Sequence, residues 1–285
     1  MQRAGQAFKA QGFEAPRQEA RALVQALIGW DLARQLAHPH GPLSGEEVTL
    51  LDGALEMRLD HQPLAQIAGE ITFDGLLFKI SPQVLIPRPE TELLVAEAFE
   101  WARGLEKKDE PLVLLDSFTG SGAVGISLGR RLEKAGLAFD LTLADLSEAA
   151  LDLARINAGL HLPQARTRFC LSDIWPQAAG PYDLITANPP YIARGDLAQL
   201  MPDVRLYEPR LALDGGEDGL DFYRRLALEG AAYLVPGGLL LLELGAGQAD
   251  EVKVLFQDRG WQLDRQVRDW AGHMRLLGFR RPIVN

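Results

Sequence analysis

The sequence predicts an α/β protein, in which a small helical domain and a β-hairpin linker precede a doubly wound, mainly parallel, seven-stranded sheet. Three observations support this prediction. Apolar residues recur with helical periodicity up to about Gly69, an Asp-Gly turn then separates two short strand patterns, and strand and helix patterns alternate from Pro111 onward. Such alternation with short connections is typical of a parallel sheet covered on both faces. The predicted domains are residues 1–69, 70–84 and 85–285.

Two helices of the N-terminal domain have clear sequence patterns. Apolar residues at i, i+3, i+4, i+7 and i+8 predict one buried helix face: Ala20, Leu23, Val24, Leu27 and Ile28. Ser44 and Glu47 form a capping box that predicts the start of another helix. Its inward face is expected to continue through Val48, Leu51 and Leu55.

The linker and the larger domain follow from strand patterns. Asp74-Gly75 lies between two short apolar runs, which is a strong hairpin signal. Strands of the sheet are expected near residues 112–115, 139–144, 167–171, 183–187, 239–243, 261–267 and 274–279.

Composition and charge limit the function. The chain has 285 residues, 47% of them hydrophobic, and a net charge of −10, which disfavours binding to a phosphate backbone. Cys170 is the single cysteine, so no internal disulfide can form. We see no signal peptide and no apolar run long enough for a membrane span, and we expect a cytoplasmic protein. His38 and His40 lack further ligands, so no metal is expected.

A glycine-rich loop predicts a nucleoside cofactor. Residues 120–125 spell G-x-G-x-x-G between a predicted strand and a predicted helix, and Asp145 follows about twenty residues later. The loop allows close backbone approach, and the carboxylate can accept hydrogen bonds from two ribose hydroxyls. NAD and S-adenosylmethionine both meet these terms, and a purely structural turn is the alternative.

Asp116 and Thr119 favour S-adenosylmethionine. The Asp116 carboxylate comes at the end of the strand, ahead of the loop. There it would repel a pyrophosphate but would suit the α-ammonium group of a methionine moiety. The alternative is that Asp116 caps a turn or a helix.

The sequence Asn188-Pro189-Pro190-Tyr191 decides the class of chemistry. It follows an apolar strand, and ligands of open α/β sheets bind at the carboxyl ends of strands. Two prolines make a rigid turn without N–H donors. Together, the Asn188 side-chain oxygen and a proline carbonyl make a receptor for an NH2 group, and Tyr191 offers a packing surface for a planar substrate.

This turn resembles the signature of class I S-adenosylmethionine-dependent methyltransferases that act on planar nitrogen. Residues 86–92 and 208–224, with the helical domain, resemble the peptide chain release factor N5-glutamine methyltransferases of the PrmC/HemK type. The resemblance covers nearly the whole chain. It implies a Rossmann-like methyltransferase fold, S-adenosyl-L-methionine as cofactor with S-adenosyl-L-homocysteine as product, and methylation of N5 of the glutamine in the Gly-Gly-Gln motif of class I release factors.

The resemblance also assigns candidate site residues. With Asp116, which is assigned from its position at the strand end, the cofactor-binding residues are Phe118, Thr119, Gly120, Ser121, Gly122, Asp145, Asp173, Ile174 and Asn188. Substrate binding falls on Asn188, Pro189, Pro190 and Tyr191, with catalysis on Asn188, Pro189 and Tyr191. Two positions depart from the family pattern, because Phe118 replaces a glycine or small residue and Ile174 replaces a common aromatic.

The expected partner is therefore a release factor, recognised as a folded protein by a monomeric enzyme that binds neither membrane nor nucleic acid directly. The alternative functions are of two kinds. A methyltransferase for a ribosomal-protein glutamine or for DNA adenine would use the same chemistry, but a DNA enzyme should carry a basic recognition domain. An NAD-dependent oxidoreductase or a non-catalytic binding module would leave the turn at Asn188 without a function.

Overall fold

The computed structural model describes residues 1–105, 110–177 and 180–281. The chain divides into two compact units. One comprises Met1–Ile71 and Leu200–Glu208, and the other comprises Thr72–Gln199 and Pro209–Asn285. The end of the predicted domain 85–285, residues 282–285, lies outside the described residues. The predicted three-part boundaries stay a prediction.

The smaller unit begins with five helices: α1 (Gln2–Ala10), α2 (Pro16–Ile28), α3 (Leu32–Ala37), α4 (Gly45–Leu59) and α5 (Leu64–Ala68). Its core is formed by Phe8, Ala20, Leu23, Ala54 and Leu55. The capping box is confirmed, since the Glu47 N–H donates to Ser44 Oγ at 3.1 Å and the Ser44 N–H donates to Glu47 Oε2 at 2.7 Å.

One detail of α4 was predicted wrongly. Val48 is 42% exposed, whereas Leu55, seven residues later on the same helix face, is buried. The reason is that the buried residues of α4 lie in its C-terminal half, so its first turn extends beyond the core.

Leu200–Glu208 belongs to this unit through polar contacts that periodicity did not indicate. The buried Arg58 guanidinium pairs with Asp203 at 2.9 Å and with Glu19 at 2.9 Å. The Gln66 side-chain amide donates to the Tyr207 carbonyl at 2.8 Å.

The predicted hairpin is confirmed. Strands β1 (Glu70–Phe73) and β2 (Leu76–Lys79) form a two-stranded sheet. Both turn residues have positive φ, 50° at Asp74 and 72° at Gly75, as the favoured two-residue hairpin turn requires.

The larger unit is built on a seven-stranded sheet of order β5-β4-β3-β6-β7-β9-β8. Its strands are β3 (Leu112–Ser117), β4 (Phe139–Asp145), β5 (Arg166–Leu171), β6 (Tyr182–Ala187), β7 (Leu234–Glu243), β8 (Gln262–Arg268) and β9 (Met274–Arg280). Strand β9 runs antiparallel to both of its neighbours, and the other pairings are parallel. The predicted mainly parallel seven-stranded sheet is confirmed.

The remaining helices are α6 (Glu92–Arg103), α7 (Ala123–Lys134), α8 (Glu148–His161), α9 (Pro202–Tyr207), α10 (Asp221–Glu229) and α11 (Ala249–Gln257). The strands bury continuous apolar runs, such as Leu239 to Leu242 with no exposed surface, because a parallel sheet of this class is covered on both faces. Within the described parts of the chain, no helix has the length and apolar character that a membrane span needs.

Candidate active site

The carboxyl ends of the parallel strands meet at one edge of the sheet, and the candidate residues lie there. Asp116 of β3 pairs in register with Thr186 of β6, and Ala144 of β4 precedes Asp145. A cavity of about 420 Å³ opens at this edge, within the range of roughly 300–1,000 Å³ typical of small-molecule sites. It is lined by Pro82, Gln83, Val84, Leu85, Pro87, Arg88, Thr91, Asp116, Phe118, Thr119, Gly120, Ser121, Ala123, Val124, Asp145, Leu146, Ser147, Ala150, Ser172, Asp173, Ile174, Asn188, Pro190, Pro209, Leu211, Ala212 and Phe222.

Asp145 connects the end of β4 to the glycine loop. Its Oδ2 accepts a hydrogen bond from the Gly120 N–H at 2.8 Å, and its Oδ1 accepts one from the Ser147 N–H at 2.9 Å. Gly120, with φ of 55°, brings the loop backbone close to this carboxylate. Burial raises the pKa of Asp145. Each carboxylate oxygen has a second lone pair, so the group can still accept from a ligand diol.

Asp116 caps the first turn of α7 from within the sheet. It is 2% exposed, and its Oδ2 accepts from the Thr119 hydroxyl at 2.6 Å and from the Gly125 N–H at 3.1 Å. The Thr186 hydroxyl donates to Oδ1 at 2.8 Å, a contact that no sequence pattern indicated. Burial raises the pKa of Asp116 to about 6, although all three hydrogen bonds oppose that shift. The carboxylate thus holds the loop, the helix and β6 together.

Phe118 and Ile174, the two departures from the family pattern, both have a left-handed backbone conformation. Phe118 has φ of 60° and Ile174 has φ of 69°, a region that favours glycine and is particularly costly for a β-branched residue. The Phe118 ring packs edge-on against Phe222 with centroids 5.2 Å apart, and both rings line the cavity. The Ser117 hydroxyl donates to the Ile174 carbonyl at 2.9 Å, which helps to hold that backbone.

A buried asparagine fixes the loop from the other side. Asn157 of α8 donates to the Ser121 carbonyl at 2.9 Å and to the Lys79 carbonyl at 3.1 Å. The Lys79 N–H donates back to Asn157 Oδ1 at 2.8 Å. No sequence pattern predicted this residue, because a single polar residue inside an amphipathic helix has no distinguishing feature.

The turn that begins at Asn188 is held by main-chain contacts with residues 213–219. The Ile192 N–H donates to the Leu213 carbonyl at 3.0 Å, and the Gly215 N–H donates to the Ile192 carbonyl at 2.8 Å. The Gln248 side-chain amide donates to the Tyr191 carbonyl at 2.9 Å. A Cβ atom at Gly215 would lie 2.8 Å from Tyr191 Cα, so the close approach requires glycine there.

The Asn188 side chain contacts two other polar side chains, those of Thr91 and Glu243. Asn188 Nδ2 donates to Thr91 Oγ1 at 3.5 Å, and the side chains of Thr91 and Asn188 both hydrogen-bond the carboxyl of Glu243, the last residue of β7. Burial raises the pKa of Glu243 to about 7, while these hydrogen bonds and the positive charge of Arg275 act to lower it. Burial also raises the pKa of Tyr191 to about 12. Thr91 lies within residues 86–92, a stretch that carries the family resemblance without a role for this residue, and no sequence pattern indicated Glu243.

The structure brings most of the predicted site residues to one cavity. Those in its lining are Asp116, Phe118, Thr119, Gly120, Ser121, Asp145, Asp173, Ile174, Asn188 and Pro190. Gly122, Pro189 and Tyr191 are not among the lining residues, and Tyr191 instead borders a neighbouring surface pocket with Gln248. The Asp173 carboxylate pairs with Arg225 at 2.8 Å. The individual functional roles stay predictions.

Comparisons with known proteins agree with this architecture. Residues 1–69 match the family described as PrmC N-terminal domain, and residues 102–203 match the methyltransferase small domain. The release factor glutamine methyltransferase of Geobacter sulfurreducens is 38% identical over 94% of this chain and 91% of its own. The enzyme of the same name from Cereibacter sphaeroides is 38% identical over 96% of this chain and 94% of its own.

Among solved structures, a methyltransferase from Pyrococcus furiosus superposes with a TM-score of 0.51 at 19% identity, covering 73% of this chain and 90% of that one, which supports the fold. The extent and level of identity to the curated relatives show the family. The chain belongs to the release factor glutamine methyltransferases, a family of S-adenosylmethionine-dependent protein methyltransferases.

Proposed function

We propose that this protein methylates the side-chain amide nitrogen, N5, of the glutamine in the Gly-Gly-Gln motif of class I peptide chain release factors, with S-adenosylmethionine as methyl donor. One observation carries the proposal. The glycine loop and the turn at Asn188 follow the neighbouring strands β3 and β6, and both line the same cavity. A cofactor site and an amide receptor on one cavity are what methyl transfer to an amide requires.

The residues present fit the cofactor. The Asp145 carboxylate, at the end of β4, keeps acceptor capacity for a ribose hydroxyl alongside the backbone hydrogen bonds that it accepts from Gly120 and Ser147. The loop around Gly120 and Ser121 lets a ligand approach the backbone. One acceptor position of Asp116 remains for an ammonium group, after three internal donors. When bound, S-adenosylmethionine supplies an electrophilic methyl group on a sulfonium.

The chain's own contribution to the reaction is positioning. An amide nitrogen is a poor nucleophile, because its lone pair is delocalised into the carbonyl. Asn188 Oδ1 and the Pro189 carbonyl would accept the two N–H bonds of the glutamine and hold its nitrogen in line for transfer. Such positioning lowers a barrier by several kcal/mol, up to roughly 7–11 kcal/mol in well-oriented systems.

The same acceptors stabilise the positive charge that develops on the nitrogen as the new C–N bond forms. No strong base is needed if the proton leaves the nitrogen after transfer. Tyr191 would then contribute through packing and through the rigidity of the turn. Independence from metal, a monomeric state and the absence of direct nucleic-acid binding remain predictions.

The test is methylation of an intact release factor in vitro. We expect the peptide that contains Gly-Gly-Gln to gain one methyl group, and fragmentation mass spectrometry to locate it on the glutamine side chain. Asn188→Ala should reduce turnover by about 10² or more, the scale for loss of one pre-oriented hydrogen-bonding group, and leave cofactor affinity within a few-fold.

The matched control is a release factor in which that glutamine is replaced by asparagine, whose shorter side chain withdraws the amide from the pocket. It should remain unmethylated. Methylation at another site, or a wild-type rate in the Asn188→Ala enzyme, would contradict the proposed function.

A further inference from the structure

The hydrogen bonds among Asn188, Thr91 and Glu243 have an order of donors and acceptors that suits the proposed reaction. Thr91 lies in the 3-10 turn Pro89–Thr91 before α6, and Glu243 is the last residue of β7, beside β6. The two residues are 3% exposed each. Two other elements of the larger unit therefore converge on the amide of Asn188.

The Glu243 carboxyl group sets which partner donates in each of these hydrogen bonds. The hydrogen bonds from Thr91 and Asn188 both act to lower the pKa of Glu243, as hydrogen bonds donated to a carboxylate do, so the Thr91 hydroxyl donates to Glu243. The lone pairs of Thr91 Oγ1 are then left for Asn188 Nδ2, which donates to that oxygen at 3.5 Å. The amide nitrogen of Asn188 donates to Thr91 and Glu243, and the amide oxygen therefore points away from these two residues. Asn188 is one of the residues that line the cavity.

We propose that Thr91 and Glu243 are positioning residues, which hold the Asn188 side chain with its oxygen presented to the acceptor glutamine. An asparagine rotated by half a turn would present N–H donors to another N–H donor and could not receive the substrate. The inference deepens the proposed function and rests on it.

The unfavourable burial of the Glu243 carboxyl group supports its role as a positioning residue. Burial of a carboxyl group is unfavourable, and Glu243 Oε2 has no hydrogen-bond donor among the described residues. Nearby charge acts in both directions, since Arg275 lowers and Glu90 raises the pKa of Glu243. An aliphatic side chain could end β7 without that cost, so the carboxyl is explained by the hydrogen bonds that it anchors.

Two substitutions at Thr91 separate orientation from packing. Thr91→Val keeps the shape and removes the hydroxyl, whereas Thr91→Ser keeps the hydroxyl and removes a methyl group. With intact release factor as acceptor, we expect Thr91→Val to lower kcat by about 10-fold to 100-fold, in the range for a misdirected hydrogen-bonding group. KM and the Kd for S-adenosylmethionine should change little, and Thr91→Ser should retain most of the wild-type kcat.

Glu243→Gln provides a second, independent variant. A glutamine places both an oxygen and an NH2 group at this position, so Thr91 is no longer restricted to donating to residue 243, and its hydroxyl can turn to Asn188 Oδ1 and reverse the amide. We expect a fall in kcat, with a melting temperature no lower than that of the wild type because the neutral amide is less costly to bury than the carboxyl. If Thr91→Val fails to fold, Glu243→Gln decides the question.

A double-mutant cycle distinguishes action through Asn188 from a general structural effect. In an Asn188→Ala background, Thr91→Val should cause no further loss of kcat. An equal further loss would overturn the inference, and so would wild-type kcat in Glu243→Gln. Failure of the wild-type enzyme to methylate the glutamine would instead refute the proposed function, so the two failures are distinguishable.

Discussion

At the scale of single residues, the carboxylates of Asp116 and Asp145 both hold the backbone of nearby elements and line the cavity. Asp145 and Asp116 both bind backbone N–H groups of the glycine loop or of α7, and both line the cavity. A carboxylate in this position therefore shapes the loop and remains available to a ligand. Its removal affects both properties.

Asp145→Ala tests the first of these residues. We expect the affinity for S-adenosylmethionine to fall by about 1–3 kcal/mol, the scale for hydrogen bonds to a charged group, because the ribose acceptor is lost and the Gly120 N–H loses its partner. Isothermal titration calorimetry with S-adenosylmethionine and S-adenosylhomocysteine measures this change. An unchanged Kd for both would mean that the ribose is bound elsewhere.

The raised pKa of Asp116 predicts that the free energy of unfolding depends on pH. Burial raises its pKa from 3.8 to about 6 in the folded state, so the folded protein retains a proton that the unfolded chain has already lost between these values. The stabilising contribution is complete below about pH 4 and is lost as the pH rises through about 6.

Relative to Asp116→Asn, the wild-type free energy of unfolding should therefore decrease by up to about 3 kcal/mol between pH 4 and pH 7. Urea unfolding followed by tryptophan fluorescence at several pH values measures this difference. The raised pKa of Glu243 acts in both proteins and cancels in the comparison. Parallel stability curves for the two proteins would show that burial does not shift Asp116 in this way.

At the scale of elements, the turn at Asn188 depends on the segment that follows α9. Gly215 and Gly219 lie against the backbone of Pro190 and Tyr191, and a Cβ at Gly215 would meet the Pro190 carbonyl oxygen at 2.9 Å. The contacting atoms are backbone and cannot rotate away. The position of the turn at Asn188 is therefore set by a glycine-rich segment more than twenty residues later in the chain.

Gly215→Ala should displace the turn and lower kcat by about 10-fold to 100-fold, since a shift of about 1 Å in a positioning group has an effect of that size. The Kd for S-adenosylmethionine should change little, because the glycine loop follows a different strand. Gly195→Ala is the matched control, since a Cβ there meets no atom within 4 Å. Equal activity of the two variants would show that the turn tolerates the displacement.

At the scale of the whole molecule, the helical unit offers a surface but no chemistry of its own. Leu50 and Met57 of α4, seven residues apart on one helix face, are 48% and 42% exposed. Exposed apolar side chains on a common face favour a protein partner. Deletion of residues 1–69 would also remove the partners of Asp203 and Tyr207, so point substitutions test recognition more cleanly.

We predict that combined Leu50→Glu and Met57→Glu will raise KM for an intact release factor about fivefold or more, a loss expected for central interface residues. Activity on a short Gly-Gly-Gln peptide should be unchanged. Ile156→Glu with Leu160→Glu, on exposed apolar positions of α8, introduces the same charge as a control. An equal change with both acceptors would assign this face of α4 to stability.

Local patterns predicted much of this protein. Hairpin, helix caps and strand positions follow from hydrogen bonds and side-chain periodicity within short stretches, as the capping box at Ser44 and the turn at Asp74 illustrate. The carboxyl ends of parallel strands share one edge, and therefore Asp116, Asp145 and Asn188 could be expected together from sequence. All three residues line one cavity.

Only the tertiary structure decided which distant residues complete the site. Thr91, Asn188 and Glu243 lie far apart in the chain, and they meet because β7 lies beside β6 and the turn before α6 reaches Asn188. The sheet order and the packing of loops between elements depend on the burial of the whole core, and no window of sequence contains that information. The motif by itself predicted the class of chemistry, whereas the side chains that surround Asn188 were determined by long-range packing.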